Sequence, residues 1–259
     1  MNPRGRVLAV ARERGALDTH MESVDETLRR WEQSLCPRVE VGGLLSRNAT
    51  AHKWKAPFRS LVLRETAFWR VHDLLVQSST LQKMGMTLGG RILLRSAIET
   101  TATLIYLNHL TRKVLDGTEN FHDFSDKTSR LLLGSKNRST GLEAVNLLTV
   151  LKHAERWYPG ITEIFEDLSE TAHPNYEGMG FGYSRIDHEQ YVSNFGNKLT
   201  EMFEAQYEPA VRFCMTIFEH EYDQVWPHLF EELEEWLVRH DEELESTRDR
   251  ASQGTPLKQ

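Results

Sequence analysis

The twenty residues RILLRSAIETTATLIYLNHL, from Arg91 to Leu110, decide the fold class of this chain. At 100° per residue, the charged and aromatic polar side chains fall within a narrow stripe, and the remaining arc of roughly 280° is almost wholly apolar. A helix that is apolar over so much of its circumference belongs at the centre of a bundle. The stripe must face solvent or a polar pocket, and it consists of Arg91, Arg95, Glu99, Tyr106 and His109.

Apolar residues recur at intervals of three and four along the rest of the chain, and no segment alternates as a strand does. We therefore predict an all-α fold, a single-domain helical bundle with peripheral N- and C-terminal helices. Prolines and glycines mark the ends of the predicted helices. These helices cover residues 18–36, 57–82, 87–114, 120–133, 142–156, 160–172, 188–223 and 227–248.

The segments between the helices complete the predicted organisation. Residues 38–46 are predicted as a connection or at most a stray strand, and residues 174–186 as a glycine-rich loop. Pro209 is expected to kink the helix that contains it. The chain then divides into an N-terminal helical arm 1–56, a core bundle 57–186, a long acidic C-terminal helical hairpin 187–250 and a polar tail 251–259.

The composition is that of a globular protein: of 259 residues, 39% are hydrophobic, 27% charged and 9% aromatic. The longest uncharged apolar-leaning run, residues 100–111, is far too short to span a bilayer, and the first residues lack the apolar segment of a secretory signal. Two cysteines, Cys36 and Cys214, cannot build a disulfide framework, and no Cys-x-x-Cys spacing occurs. We expect a cytoplasmic protein that needs no membrane and no cofactor.

The net charge of −7 is unevenly distributed. Residues 217–250 contain 12 acidic and 3 basic side chains, whereas residues 53–95 contain 8 basic and 2 acidic ones. A basic segment of this kind can follow a phosphate backbone, or it can be the solvated face of a helix. The acidic C-terminal helices could engage a basic protein partner or support self-association, and we expect a homo-oligomer.

Within the stripe, Arg95 and Glu99 are four residues apart, and two interpretations of this pair are open. An exposed pair at this spacing stabilises a helix by about 0.3–0.5 kcal/mol, although Arg before Glu is the weaker order. Alternatively, Glu99 holds a buried guanidinium that lines a cleft, because charges on so apolar a helix are costly unless they are paired.

A second group of polar residues follows the helix predicted over 160–172. Pro174 prevents this helix from continuing and favours an extended backbone at His173. His173 is thereby presented at a helix end, with Ser169 one turn before it and Asn175 beside it. A histidine in this position can act as an acid, a base or a ligand, or it can simply cap the helix.

The pair Glu170 and His173 also has the Glu-x-x-His spacing of di-iron helical bundles. Such a site needs a second Glu-x-x-His and two further carboxylates, and the chain contains no second copy. We therefore predict no metal site.

The pattern Leu94-Arg95-Ser96-x-x-Glu99, followed by Leu168-Ser169-Glu170-x-x-His173-Pro174-Asn175, resembles a family of uncharacterised all-helical bacterial proteins. In that family an Arg-Ser-x-x-Glu helix and a Ser-x-x-x-His-Pro turn recur together, and the resemblance covers about residues 58–180. It implies a shared helical core in which Arg95, Glu99 and His173 lie near one another. It does not bring an established reaction.

The segment Arg47-Asn48-Ala-Thr-Ala-His52 is similar to the Arg-polar-x3-His motif of the HEPN ribonucleases, helical proteins of toxin–antitoxin and antiviral systems. In that family the Arg and His of two protomers meet at a dimer cleft and cleave RNA without metal, the 2′-hydroxyl attacking the adjacent phosphate. The resemblance implies that His52 shuttles a proton and that Arg47 supplies a cation for the phosphorane. Here the motif precedes the apolar core helices, whereas the family carries it on a late core helix.

The leading hypothesis is a HEPN-like helical protein of a prokaryotic defence or stress system that acts on RNA as a metal-independent ribonuclease. In this hypothesis Arg95 binds phosphate, Glu99 orients Arg95, and His173 is the acid–base group. The predicted substrate-binding residues of the same cleft are Arg91, Tyr106, Ser169 and Asn175.

Three alternatives accompany this hypothesis. Arg47 and His52 could form the catalytic pair instead. The protein could also be a non-enzymatic interaction module, in which the stripe only satisfies buried polarity, or a sensor of an anionic small molecule.

Overall fold

The computed structural model describes residues 22–137 and 139–253, the last five of these as backbone only, so most of the predicted tail and the first 21 residues of the predicted arm lie outside it. The described residues form ten α-helices, two π-helical turns and a two-stranded sheet, which confirms the predicted all-α class. The helices are α1 Val24–Ser34, α2 Val41–Arg47, α3 Ala49–His52, α4 Lys55–Lys83, α5 Thr87–Leu115, α6 Phe121–Leu133, α7 Leu147–Trp157, α8 Ile161–Ala172, α9 Leu199–Glu219 and α10 Trp226–Gln253.

Helix α5 lies at the centre of the bundle, as its apolar circumference predicts. Leu104, Ile105 and Leu107 are fully buried, and α4, α7, α8 and α9 all pack against this helix. The core also includes Trp31 of α1 and Leu237 of α10, so elements from both ends of the chain contribute to it. No described helix has the length and apolarity that crossing a membrane requires.

Helices α4 and α5 form a close helical hairpin. Gly85 takes a φ of 71° in the turn between them, which L side chains rarely adopt. Further along, the Ser78 hydroxyl donates to the Gly90 carbonyl at 2.7 Å, and a Cβ on Gly90 would stand 3.2 Å from the Ser78 carbonyl oxygen. A glycine at position 90 therefore allows the two backbones to approach.

Two segments differ from the sequence prediction. Residues predicted as a connection contain helix α2, although Gly42 and Gly43 lower its intrinsic helix propensity. Contacts with α10 explain this helix, because Arg47 at its end pairs with Glu234 at 2.6 Å. Tertiary contacts outweigh local propensity in such short helices.

The second difference concerns residues 174–198. A π-helical turn, Tyr176–Phe181, is followed by strands β1 (Ser184–Asp187) and β2 (Val192–Phe195), and α9 begins only at Leu199 rather than at 188. Asp187 Oδ1 accepts the backbone N–H groups of Glu189 and Gln190, in the four-residue turn 188–191, both at 2.9 Å. Side chains of this kind favour a turn over a helix.

At the C-terminus, α9 contains Pro209 and continues through a second π-helical turn, His220–Val225, into α10. We predicted a break at Trp226-Pro227. Instead, Pro227 lies in the first turn of α10, where its missing N–H is not needed.

The acidic surface of α10 is partly neutralised by the arm of the same chain. Lys53 bonds to Asp241 at 2.7 Å and to Glu245 at 2.9 Å. A basic partner for these carboxylates is therefore present within the protein itself.

Candidate functional site

Arg91, at the amino end of the stripe, is a buried residue that joins α5 to α8. Only 2% of its side chain is exposed. Its Nε donates to Thr171 Oγ1 at 3.1 Å, and its Nη2 donates to the Asp167 carbonyl and carboxylate at 3.0 and 2.7 Å. The guanidinium also stands 4.0 Å from the centre of the Phe203 ring. These partners make Arg91 a structural connection within the bundle.

One turn further along α5, Arg95 pairs with Glu99 at 3.2 Å, and about a quarter of each side chain is exposed. The Arg95 guanidinium lies 4.9 Å from the centre of the Phe165 ring of α8. Its Nε is buried and has no hydrogen-bond partner among the described residues. The pair is thus partly buried and lies between the two alternatives that the sequence leaves open.

His173 ends α8 with an extended backbone, as Pro174 predicts, and its N–H donates to the Ser169 carbonyl at 3.1 Å. Its side chain is exposed and has no hydrogen-bond or ionic partner in the described part of the chain. The neighbouring polar residues serve the turn itself. Ser169 donates to the Phe165 carbonyl at 2.7 Å, and Asn175 donates to Glu170 at 2.6 Å while accepting the N–H of Gly178.

The structure does not bring His173 into contact with Arg95 or Glu99. Arg91 reaches Thr171 whereas Arg95 reaches Phe165, so α5 and α8 run antiparallel. Phe165 precedes His173 by eight residues, which corresponds to roughly 12 Å along a helix. Glu99 lies further still in the same direction.

Arg47 and His52 meet on one buried carboxylate, Glu234 of α10. Arg47 Nη2 lies 2.6 Å from Glu234 Oε2, and His52 Nε2 lies 2.6 Å from Glu234 Oε1. The His52 side chain is 2% exposed and its Nδ1 has no partner among the described residues. A substrate has no access to an imidazole so buried, so this triad fastens the arm to α10.

The carboxyl end of the same stripe is built differently. His109 of α5 and His153 of α7 pack their rings with centroids 4.6 Å apart. Tyr106, one turn before His109, places its ring 5.1 Å from that of His153. Both histidines are partly exposed, whereas Tyr106 is buried. We call these three residues the histidine cluster.

The environment of the histidine cluster disfavours charge on both imidazoles. Partial burial, the neighbouring His153 and the cations Lys113, Arg156 and Arg112 lower the pKa of His109 to about 4. Partial burial and the cations nearby, Arg156 first, also lower the pKa of His153. At neutral pH the site is therefore a pair of uncharged imidazoles surrounded by positive charge.

A buried polar network lies behind the histidine cluster. Glu221, from the second π-helical turn, is 1% exposed and accepts hydrogen bonds from Asn108 Nδ2 and from the Tyr158 hydroxyl, both at 2.6 Å. Burial and the Glu221 carboxylate raise the pKa of Tyr158. Arg112 places its guanidinium 4.3 Å from the centre of the Trp157 ring, which is 47% exposed.

Three buried polar atoms in this neighbourhood have no hydrogen-bond partner among the described residues. They are Asn108 Oδ1, Arg112 Nη1 and His153 Nδ1. An unsatisfied buried polar atom costs about 1–3 kcal/mol, so water or a ligand is the expected partner. All three lie at the carboxyl end of α5 or on α7, which packs against it.

A groove of about 700 Å³ lies beyond the carboxyl end of α5, and none of the three residues of the histidine cluster lines it. It is lined by the turn between α5 and α6 and by Trp236, Arg239 and His240 of α10. Glu119 of this lining pairs with Lys113 at 2.6 Å. This ion pair connects the groove lining to Lys113, one of the cations that lower the pKa of His109.

Chemically, the arrangement offers two proton acceptors, fixed cations and a partly exposed aromatic ring. Neutral imidazoles are suited to general base catalysis, and the cations are suited to binding an anion such as a phosphate. In the described part of the chain no three His, Cys, Asp or Glu side chains form a group that could hold a metal ion.

Sequence reasoning placed Tyr106 and His109 on the stripe, but it did not find their partners. His153 and Arg112 carry no motif, because their association with His109 depends on how α7 packs on α5. The local signal was the spacing of Tyr106, His109 and Lys113, which puts them on one helix face.

Comparison with known proteins does not assign this chain to a family. No family model, no curated protein and no solved structure matches it. The candidate site must therefore be judged on its own geometry.

Proposed function

We propose that the protein is a metal-independent ribonuclease whose active site is the histidine cluster, with His109 and His153 as the proton-transfer groups. The observation that carries this proposal is the contact between the His109 and His153 rings, whose centroids are 4.6 Å apart, near the cations Lys113, Arg156 and Arg112. The reaction is the one that the sequence predicts, but its site lies at the carboxyl end of α5 and not at His173.

The cations of the site would bind the phosphodiester. Lys113 and Arg156 are close enough to lower the pKa of both histidines, and Arg112 has an unpartnered buried Nη1. Fixed positive charge stabilises the additional negative charge that a phosphorane transition state develops. The exposed ring of Trp157 could stack on a base of a single strand.

The two imidazoles would move the protons. His109 accepts the proton of the ribose 2′-hydroxyl, whose oxygen attacks the adjacent phosphorus. The bond to the 5′-oxygen breaks, and that oxygen takes a proton from His153, which gains this proton from water when the bound phosphate raises its pKa. The products are a 2′,3′-cyclic phosphate and a 5′-hydroxyl end. The phosphate anion offsets the surrounding cations, so its binding raises both imidazole pKa values toward neutrality.

The first experiment incubates the full chain with a single-stranded RNA oligomer, with and without chelator, and identifies the product ends. We expect chelator-resistant cleavage that leaves a cyclic phosphate, and no cleavage where the scissile nucleotide is 2′-deoxy. His109→Gln and His153→Gln should each lower the rate about 100-fold or more, as loss of an acid–base group does. Their melting temperatures should stay within a few degrees of the parent's.

The matched control is His188→Gln, because His188 is exposed on the turn between β1 and β2. Its rate should equal the parent's. Cleavage that survives in both cluster variants would refute the proposed site. In that case His173→Ala and His52→Ala would show whether either site predicted from the sequence carries the activity.

A second candidate is a sensor of an anionic small molecule, which the unpartnered Arg112 Nη1 favours. It predicts that the parent binds inorganic phosphate or a 2′-deoxy oligonucleotide and cleaves no RNA. Binding in this case should weaken in Arg112→Gln. Absence of both cleavage and binding would leave the interaction module as the remaining hypothesis.

A further inference from the structure

The small β-hairpin exposes an unusual amount of apolar side chain. All four residues of β2 are exposed. Phe195 is 83% exposed and Tyr191, in the turn, is 94% exposed. By comparison, a two-stranded hairpin on its own is at best marginally stable in water, and three or more strands are needed for independent stability.

The two edges of this hairpin differ. At the β1 edge, Lys198 donates to the Ser184 carbonyl at 2.6 Å and the Ser184 hydroxyl donates to the Gly180 carbonyl of the preceding π-helical turn, so this edge is occupied at Ser184. For β2, the structure records no hydrogen bond beyond its pairing with β1 within the described residues. Its sequence VSNF also lacks the charged side chain or proline that usually protects an edge strand.

The register of the hairpin shows which groups the free edge presents. The Gly196 N–H donates to the Tyr183 carbonyl, so every second residue of β2 from Gly196 bonds to β1. The backbone groups of Ser193 and Phe195 therefore point outward. A two-fold axis at Asn194 places Ser193 of one copy opposite Phe195 of the other. Each such pair can exchange two backbone hydrogen bonds.

This pairing also brings apolar side chains together. Ile186 and Phe195 lie on the same face of the hairpin, because Ser184 pairs with Phe195 and Ile186 with Ser193. A two-fold axis perpendicular to the sheet keeps them on that face in both copies. The four-stranded sheet thus gains one apolar stripe, made of Ile186 and Phe195 from each chain.

The exposed apolar area of the hairpin suits a small dimer interface. Phe195 and Tyr191 are 83% and 94% exposed, and at typical aromatic areas they present on the order of 350 Å². A standard interface buries about 800 Å² per partner. Ile186 and Val192, 60% and 45% exposed, add to that area. β2 contains no charge, so two copies meet without repulsion.

We propose that β2 is the interface with a second copy of this chain, and that the two hairpins join edge to edge into one four-stranded antiparallel sheet. The two-fold axis at Asn194 uses the same β2 edge of both chains, so this contact closes at two copies. The contact uses the hairpin alone and is independent of the histidine cluster.

The test is the molar mass of the full chain by sedimentation equilibrium between about 1 and about 100 µM, the range in which a small interface dissociates. We expect the parent to pass from monomer to dimer across this range. Ser193→Pro removes the outward N–H, and Phe195→Lys places a charge on the apolar stripe. Each should raise the dissociation constant by about tenfold or more.

Two matched controls should leave the dissociation constant unchanged. Ser193→Ala keeps the backbone N–H, and Leu148→Lys charges an apolar side chain that is 70% exposed on α7. A parent that stays monomeric throughout the range would overturn the proposal. A dimer that persists in both Ser193→Pro and Phe195→Lys, or that dissociates in Leu148→Lys, would overturn it as well.

Discussion

The two ends of helix α5 carry the same kind of polar side chain but use it differently. At the amino end, Arg91 is buried and its partners Thr171 and Asp167 are supplied by α8. At the carboxyl end, His109 lies near cations that lower its pKa, and three buried polar atoms there have no hydrogen-bond partner within the described part of the chain. Arg91 is therefore fully engaged by the fold, although Arg95 one turn later keeps an unpartnered Nε among the described residues, whereas the carboxyl end gathers three such atoms.

The difference shows that a polar stripe on an apolar helix has no single meaning. Where the neighbouring helix supplies an acceptor, a buried cation stabilises the packing of the two helices. Where it supplies further cations and an imidazole, the result is a site that costs stability and can bind an anion. The side chains supplied by the neighbouring helix therefore determine whether a stripe residue stabilises the packing or stays available to a ligand.

Removing Arg91 tests the difference between the two ends of α5 most directly. Arg91→Ala deletes a buried side chain with three hydrogen bonds and leaves a cavity, so we expect the free energy of unfolding to fall by about 3 kcal/mol. Urea denaturation at pH 7 measures it. The partner Asp167 is 38% exposed, which keeps the stranded carboxylate hydrated and limits the loss.

Arg91→Met is the matched control for this change. It keeps most of the side-chain volume and loses only the charge and its hydrogen bonds, so its cost should be about half as large. If the free energy of unfolding of Arg91→Ala lies within about 0.5 kcal/mol of the parent's, the two ends of α5 do not differ as described.

The carboxyl end makes a prediction with a definite sign in pH. In the unfolded chain a histidine has a pKa of about 6.5, whereas the folded protein holds the pKa of His109 at about 4. Between these values the unfolded chain binds more protons, so stability falls as the pH falls. The stability that the uncharged His109 gives the fold is fully present above about pH 6.5 and is lost as the pH falls toward about 4.

We expect His109→Gln to flatten this dependence. Between pH 7 and pH 5 the variant should lose about 1 kcal/mol less stability than the parent, a figure that allows for the solvent screening of a partly exposed ring. Urea denaturation at the two pH values gives the difference. His188→Gln should follow the parent, and equal slopes for His109→Gln and the parent would contradict the lowered pKa.

The bundle could be predicted from sequence because its signals are local. Helix α5 runs Thr87–Leu115, within one residue of its predicted end, since apolar periodicity and flanking glycines depend only on neighbouring residues. The hairpin at residues 184–195 was missed. Its short strands alternate too briefly, and its turn depends on one aspartate.

The site was only half predictable for the same reason. The stripe includes Tyr106 and His109, and the Tyr106 ring contacts that of His153. Spacing along one helix cannot show that α7 places His153 against His109, or that α8 takes up Arg91. Arg91 and Arg95 are equivalent in the sequence pattern and are distinguished only by what packs on them.

The smallest expected effect concerns Arg95, whose two interpretations a double-mutant cycle with Glu99 separates. Each side chain is about a quarter exposed and the atoms are 3.2 Å apart, so water still screens the pair. We expect Arg95→Ala to cost under about 1 kcal/mol, and the cycle with Glu99→Ala to give a coupling of about 0.3–0.5 kcal/mol. A coupling above about 2 kcal/mol would instead show a desolvated pair, and the amino end of α5 would then have to be reconsidered as a polar cleft.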